Sequence, residues 1–277
     1  MSSNVPIMRS GAVDPESVRP LPGDNRRRLI WREMKRIPPV GFLWGLARRE
    51  YFAAREIKNR LSYIPRHREI RRQPWAKLQL GAGSRGLSGW LNTDLQASAE
   101  VLKVDATRPL PFLDGSFRYV FNEHMIEHLT FNAGRKLVAE VNRVLAKGGK
   151  LRISTPDFDF YLGLFQKELS SEEQDFAKWH VGMYNPELPV SALSVMNTMF
   201  RNWGHKHLYN EESLTLLLNE CGFGQIKRYK AGESDDPELR GIESHGQLVG
   251  ETYNRLETLV LEATKTSRFS VIDEGGA

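Results

Sequence analysis

The chain has 277 residues, 40% of them hydrophobic and 26% charged, with a formal net charge of +5, which gives ample apolar material for a core and excludes a disordered or fibrous class. One cysteine, Cys221, excludes an internal disulfide and fits a reducing compartment. No apolar run approaches the ~20 residues of a membrane span, and the N-terminus MSSNVPIMRSGAVDPE lacks the apolar core of a secretion signal, so a cytoplasmic location is expected.

Residues 1–25 are rich in Pro, Ser, Gly and Asp and read as disordered. Residues 26–74 read as a basic helical extension. Residues 26–77 carry 16 Lys/Arg against 4 Asp/Glu, a balance of +12, so the rest of the chain sums to −7. Within this extension Phe42, Leu43, Leu46, Phe52, Ile57, Leu61 and Ile64 recur at helical steps between Pro38-Pro39 and Pro65. A solvated basic face is the commoner meaning of such a run. A contact between residues 26–72 and an anionic membrane surface or RNA is the sharper one.

From residue 75 onward strands and helices alternate, which argues a mostly parallel sheet. Strands are expected near Lys77–Leu80, Trp90–Thr93, Val101–Val104, Tyr119–Asn122, Lys150–Ser154 and Gln225–Tyr229, with a last one at Arg255–Lys265. Helices are expected at Gly134–Leu145, where Leu137, Val138, Val141, Val144 and Leu145 share a side, and at Glu211–Glu220. Gly148-Gly149 is expected to turn the chain into the fifth strand. Residues 158–203 form a long insertion rich in aromatic and histidine side chains, and residues 273–277 read as a frayed tail.

The stretch KLQLGAGSRGLSGWLNTD, Lys77–Asp94, runs a strand into a Gly-rich turn and then sets an acid at the next strand end. Glycines let the backbone approach a ligand, and such an acid can accept hydrogen bonds from a ribose diol. A GxG alone is weak. Here it is followed by VDATRPLPF with Asp105, by FRYVFNEHMIEHL and by VNRVLAKGGKLRISTPD. A dinucleotide dehydrogenase is the competitor, but its GxGxxG fits only with the register slipped onto a loop.

Taken together these motifs resemble class I S-adenosylmethionine-dependent methyltransferases, over roughly Lys77–Lys265, and most closely the type-11-like group that often modifies sugars, lipids or other small molecules. The resemblance implies a Rossmann-like, mostly parallel seven-stranded sheet with helices on both faces, the last strand inserted antiparallel, in a methyltransferase domain over residues 75–270. It implies that residues 158–203 are a lid over the acceptor. Gly81, Ala82 and Gly83 would meet the methionine part of S-adenosylmethionine, Asp94 with Leu95 the ribose, Asp105 with Ala106 the adenine, and Asn122 the sulfonium end. The chain departs from the family pattern at Gln79 and Arg118, where acids are common.

His124, Glu127 and His128 have the spacing of one helical face. The cluster resembles the ExxEH motif of ubiquinone-pathway O-methyltransferases and small-RNA 2′-O-methyltransferases, with His124 in place of the first Glu. That resemblance implies a divalent metal held by His124, Glu127, His128 and His205. The plainer alternative is capping and packing. Without metal, transfer to oxygen needs a base, for which His124, His205 and His128 are candidates, and Asp157 can orient base or acceptor. The expected function is O-methylation of a hydroxyl on a sugar, glycan or glycolipid precursor, in polysaccharide biosynthesis, at the cytoplasmic side and peripheral to the membrane if the extension meets lipid. RNA 2′-O-methylation and a non-catalytic cofactor-fold binding module are the alternatives.

Overall fold

The computed structural model describes residues 77–96, 98–166 and 168–267. The expected disordered segment, basic extension and frayed tail lie outside the described residues. No described helix is long and apolar enough to cross a membrane.

Seven strands, β1 (Lys77–Leu80), β2 (Leu91–Asp94), β3 (Leu102–Lys103), β4 (Phe117–Glu123), β5 (Leu145–Pro156), β6 (Phe223–Tyr229) and β7 (Thr258–Lys265), form one sheet in the order β3-β2-β1-β4-β5-β7-β6. Only β7 runs antiparallel to its neighbours. This is the expected Rossmann-like, mostly parallel seven-stranded arrangement.

The two faces differ because side chains alternate along each strand. Leu91, Leu78, Val120, Leu151 and Ala263 stand in one lateral row and meet the apolar sides of helices α1 (Phe131–Val144) and α5 (Glu211–Glu220). Leu137, Val138, Val141 and Val144 of α1, with Leu214, Leu217 and Leu218 of α5, close that core. One residue along, the opposite row reads Asn92, Gln79, Phe121, Arg152 and Glu262, all buried and mostly polar. Among the described residues, segment 230–245 rather than a helix makes the polar contacts on this face. Arg152 reaches Glu243 and Glu262, each at 2.5 Å, Lys150 reaches Asp236 at 2.8 Å, and Lys77 reaches Glu238 at 2.6 Å.

The insertion folds into α2 (Phe158–Gly163), α3 (Ser171–Tyr184) and α4 (Ala192–Arg201). Ser170 and Glu173 close a reciprocal capping box at the start of α3, and Ser191 caps α4. Tyr161, Leu164, Phe176, Val181, Val195 and Met199 make this unit's own core.

Three local expectations are corrected. Arg255–Lys265 is not all strand: α6 (Gly246–Val249) is followed by α7 (Glu251–Glu257), and β7 starts at Thr258. Tyr253 and Leu256, three apart, pack on the insertion's core and hold the segment helical. Gly148-Gly149 does not precede β5. It forms a bulge inside it, the pairing jumping from Phe117–Leu145 to Tyr119–Lys150. His124, Glu127 and His128 do not share a helix. His124 has φ +45° just beyond β4, and only Ile126–His128 form a short 3-10 turn.

Candidate active site

The strand ends bring the sequence-predicted cofactor residues to one edge of the sheet. Gly81 and Gly83 have φ of +72° and +54°, which glycine adopts freely, and a Cβ on Gly81 would stand 2.6 Å from Met125 Cγ. The Ala82 N–H donates to the Thr93 carbonyl at 2.9 Å, tying the turn to β2. Asp94 accepts from the Gly83 N–H at 2.9 Å and the Gln96 N–H at 2.8 Å, so its carboxylate is fixed against the turn. Leu95 beside it is exposed. Gln79, where an acid is common, orients the same loop by accepting from the Leu87 N–H and donating to the Arg85 carbonyl. Asp105 accepts from the Thr107 N–H and hydroxyl and pairs with Arg108 at 3.0 Å. Burial pushes its carboxyl up, but Thr107 and Arg108 outweigh this and hold it below the usual range. Ala106 packs against the core, and Asn122 is buried with Oδ1 lacking a hydrogen-bond partner.

Beside the end of β4 lies a cavity of about 590 Å³. It is lined by His124, Glu127, His128, His205, His245 and Glu257, and by the rings of Trp179, His180, Tyr184 and Trp203 with Met199. Glu127 is fully buried. Oε2 accepts from the Thr155 hydroxyl at 3.1 Å, and Oε1 lies 3.4 Å from His124 Nδ1, too poorly aligned for a hydrogen bond. Burial alone would lower the His124 pKa, but Glu127, Glu257 and Glu123 outweigh it and raise it. Burial likewise works against the Glu127 carboxylate, and His124 with His128 overcomes it, so Glu127 stays ionised.

His205 is arranged differently. Its Nδ1 lies 2.9 Å from the Met199 carbonyl, which can only accept. Nδ1 therefore carries the hydrogen and Nε2 keeps its lone pair. Burial lowers its pKa below the usual histidine value, so the ring is neutral at pH 7. Glu127, His128 and His205 present ligand atoms that all lie within 4.8 Å of one another. His124, the fourth expected metal ligand, is not in this group. It faces Glu127 and stacks on His245 at 3.8 Å.

Asp157 is not brought to the cavity. It caps α2 through the Asp159 N–H and pairs with Arg228 at 2.6 Å, and burial raises its pKa more than Arg228 lowers it. That is structural employment at the end of β5.

Two cavity residues were not foreseen. His245 donates from Nε2 to the Glu257 carboxylate at 3.1 Å, and Glu257 also accepts from the Tyr161 hydroxyl. Glu123 holds this corner by accepting from the Ser244 and His245 backbone N–H groups at 2.8 Å each. Histidine scarcity, seven in the chain, was the only signal for His245.

Residues 81–153 match the family model described as a methyltransferase domain. Over these residues the chain is similar to class I S-adenosylmethionine-dependent methyltransferases. Solved structures similar to this chain include an S-adenosylmethionine-dependent methyltransferase from Archaeoglobus fulgidus, 16% identical, covering 74% of this chain and 92% of that one with a TM-score of 0.41. Another, from Mesorhizobium loti, is 16% identical, covers 73% and 97%, and has a TM-score of 0.42. Phosphoethanolamine N-methyltransferase 2 of Haemonchus contortus, in complex with S-adenosyl-L-methionine, is 16% identical with a TM-score of 0.38. There 76% of this chain spans 53% of that one. No curated protein matches this chain.

Proposed function

We propose that this methyltransferase methylates a hydroxyl of a sugar, glycan or glycolipid precursor, or a similar polyol, held in the cavity beside β4. The observation that carries this reading is the neutral His205, its Nε2 lone pair free, in a cavity walled by aromatic rings and ending in histidines and carboxylates. Rings suit the apolar faces of a sugar, and carboxylates and imidazoles suit its hydroxyls.

S-adenosylmethionine supplies a methyl group already activated on a sulfonium. Gly81, Ala82 and Gly83, with Asp94, Leu95, Asp105, Ala106 and Asn122, are the residues that would hold it. The turn's positive φ values, the fixed Asp94 carboxylate and the partnerless Asn122 Oδ1 fit that role. The remaining work is to position the acceptor, exclude water and take one proton. His205 Nε2 takes the hydroxyl proton, and the His124–Glu127 pair fixes the charge beside it.

A metal-assisted version rests on the convergence of Glu127, His128 and His205. Two imidazoles and a carboxylate are a donor set for a borderline divalent ion, and the Nδ1–H of His205 on a backbone carbonyl is the usual way a ligating histidine is oriented. Such an ion would polarise the acceptor hydroxyl. RNA ranks lower as acceptor, because among the described residues no Lys or Arg lines the cavity to meet a phosphate. The net positive charge of residues 26–72 suits contact with an anionic membrane surface.

The test is release of S-adenosylhomocysteine with a panel of sugars, alkyl glycosides and a short RNA, with and without divalent ions. Turnover with a hydroxyl acceptor, reduced about 10²–10⁴-fold by His205→Gln with cofactor affinity intact, is expected. Turnover that is indifferent to His205→Gln removes the proposed base. Cofactor binding with no turnover on any acceptor would favour a non-catalytic module.

A further inference from the structure

The aromatic wall of the cavity has a chemistry that O-methylation alone does not require. Tyr184 and Trp203 meet nearly at right angles, 86°, with ring centroids 4.8 Å apart. His180 lies 5.1 Å from Tyr184 at 69° and 6.1 Å from Trp203 at 80°, and Trp179 stands 5.8 Å from Tyr184 at 79°. Four rings that cross at steep angles line this part of the cavity, and an aromatic face attracts a cation.

Trp203 holds its place at a cost. Its φ is +58°, an unusual conformation for a residue with a Cβ, in a turn that Gly204 completes by donating to the Asn202 carbonyl at 2.7 Å.

The electrostatics of the same cavity point the same way. Glu257, nearly buried, lines the cavity, and its charge acts on Tyr184, His180 and Tyr161. Burial works against the Glu257 carboxylate, but His245 and Tyr161 outweigh it and keep it ionised. His180 adds no positive charge, since burial pushes its pKa down to about 4. In a chain of net charge +5, no Lys or Arg lines this cavity among the described residues.

We propose that the rings of Trp179, His180, Tyr184 and Trp203, in the cavity that Glu257 also lines, form a subsite for an ammonium group, so that the acceptor is an amino alcohol or amino sugar. This rests on the reading of the cavity as the acceptor site. The reacting hydroxyl lies toward His205, and the cationic nitrogen sits among the ring faces, where cation–π attraction and the Glu257 charge act together. The subsite discriminates against phosphorylated and carboxylated acceptors and against neutral ones of the same shape.

The experiment uses the full chain with S-adenosylhomocysteine present and compares, by calorimetry, choline with 3,3-dimethylbutan-1-ol, its uncharged isostere. Choline is expected to bind at least about tenfold more tightly than the alcohol. Trp203→Leu, which keeps bulk but removes the π-face, and Glu257→Gln should each bring choline toward the alcohol's affinity. Affinity for S-adenosylhomocysteine should not change in either variant. Equal binding of the two probes, preference for the alcohol, or binding of neither overturns the proposal. If S-adenosylhomocysteine itself does not bind, the methyltransferase reading fails, while the choline–alcohol comparison still decides the ammonium subsite.

Discussion

Arg152 offers the sharpest test of how the polar face of the sheet supports the site. Its side chain is fully buried in the middle of β5, with Nε at 2.5 Å from Glu243 and Nη1 at 2.5 Å from Glu262. Both carboxylates are themselves nearly inaccessible to solvent. Replacing Arg152 with Met keeps the volume and leaves two buried negative charges facing each other. Removing one partner of a buried pair costs about 3–5 kcal/mol. For a domain of this size that lowers the melting temperature by about 6–20 °C. Glu243 retains the Ser154 hydroxyl at 3.3 Å and the Gly232 N–H at 3.0 Å, which limits the loss on that side. Segment 230–245 ends in Ser244 and His245, so the same substitution should also weaken acceptor binding while the Gly81–Asp94 turn is spared. Thermal and urea unfolding of wild type, Arg152→Met, and the triple variant Arg152→Met/Glu243→Gln/Glu262→Gln give the comparison. The triple variant should recover much of the loss, because it removes the stranded charges as well as the pair. A loss below about 1 kcal/mol for Arg152→Met would refute the reasoning, since a surface ion pair is worth that little.

The remaining predictions concern the turn and the insertion. Gly81→Ala meets both a left-handed backbone and Met125, and should destabilise the domain by about 2–3 kcal/mol. Gly83→Ala has the backbone cost alone, about 1 kcal/mol, because nothing stands within 4 Å of its added Cβ. Equal melting temperatures for the two variants would contradict this. His180, with a folded pKa of about 4 against an ordinary 6.5, is buried neutral, so the unfolded chain binds its proton first as the pH falls. Its contribution to stability is present above pH 6.5 and is lost toward pH 4, at about 1.4 kcal/mol per unit. The difference in unfolding free energy between wild type and His180→Phe should narrow over that range. An imidazole resonance titrating near 6.5 in the folded protein would show the assignment to be wrong.

What could be read in the sequence was local. Gly81, Gly83 and Asp94 lie within one strand–turn–strand, so their spacing already carries their geometry, and the Gly83–Asp94 hydrogen bond follows from it. Helices α1 and α5 announced themselves by apolar residues at three- and four-residue steps. What could not be read was assembled by the sheet. His245 reaches the end of β4 through Glu123, more than a hundred residues earlier. Glu257 was hidden in a segment read as strand, because the alternation of Leu259, Leu261 and Ala263 carries no mark of where the preceding helix ends. Nothing in the sequence marks Arg152 of β5 as buried. Its burial follows from the segment packed over it, which has no periodicity to betray its position. The HxxEH spacing misled for a physical reason: i, i+3, i+4 means one face only if the backbone is helical, and His124 is left-handed.

The central claim is that the Gly81–Asp94 turn holds S-adenosylmethionine. Calorimetric titration of the wild-type protein beside Asp94→Ala tests it directly. Saturable one-to-one binding that falls at least about tenfold in Asp94→Ala, as expected when a charged hydrogen-bond acceptor is lost, is the predicted result. Well-folded wild-type protein that does not bind, or an Asp94→Ala variant that binds equally well, would contradict the account.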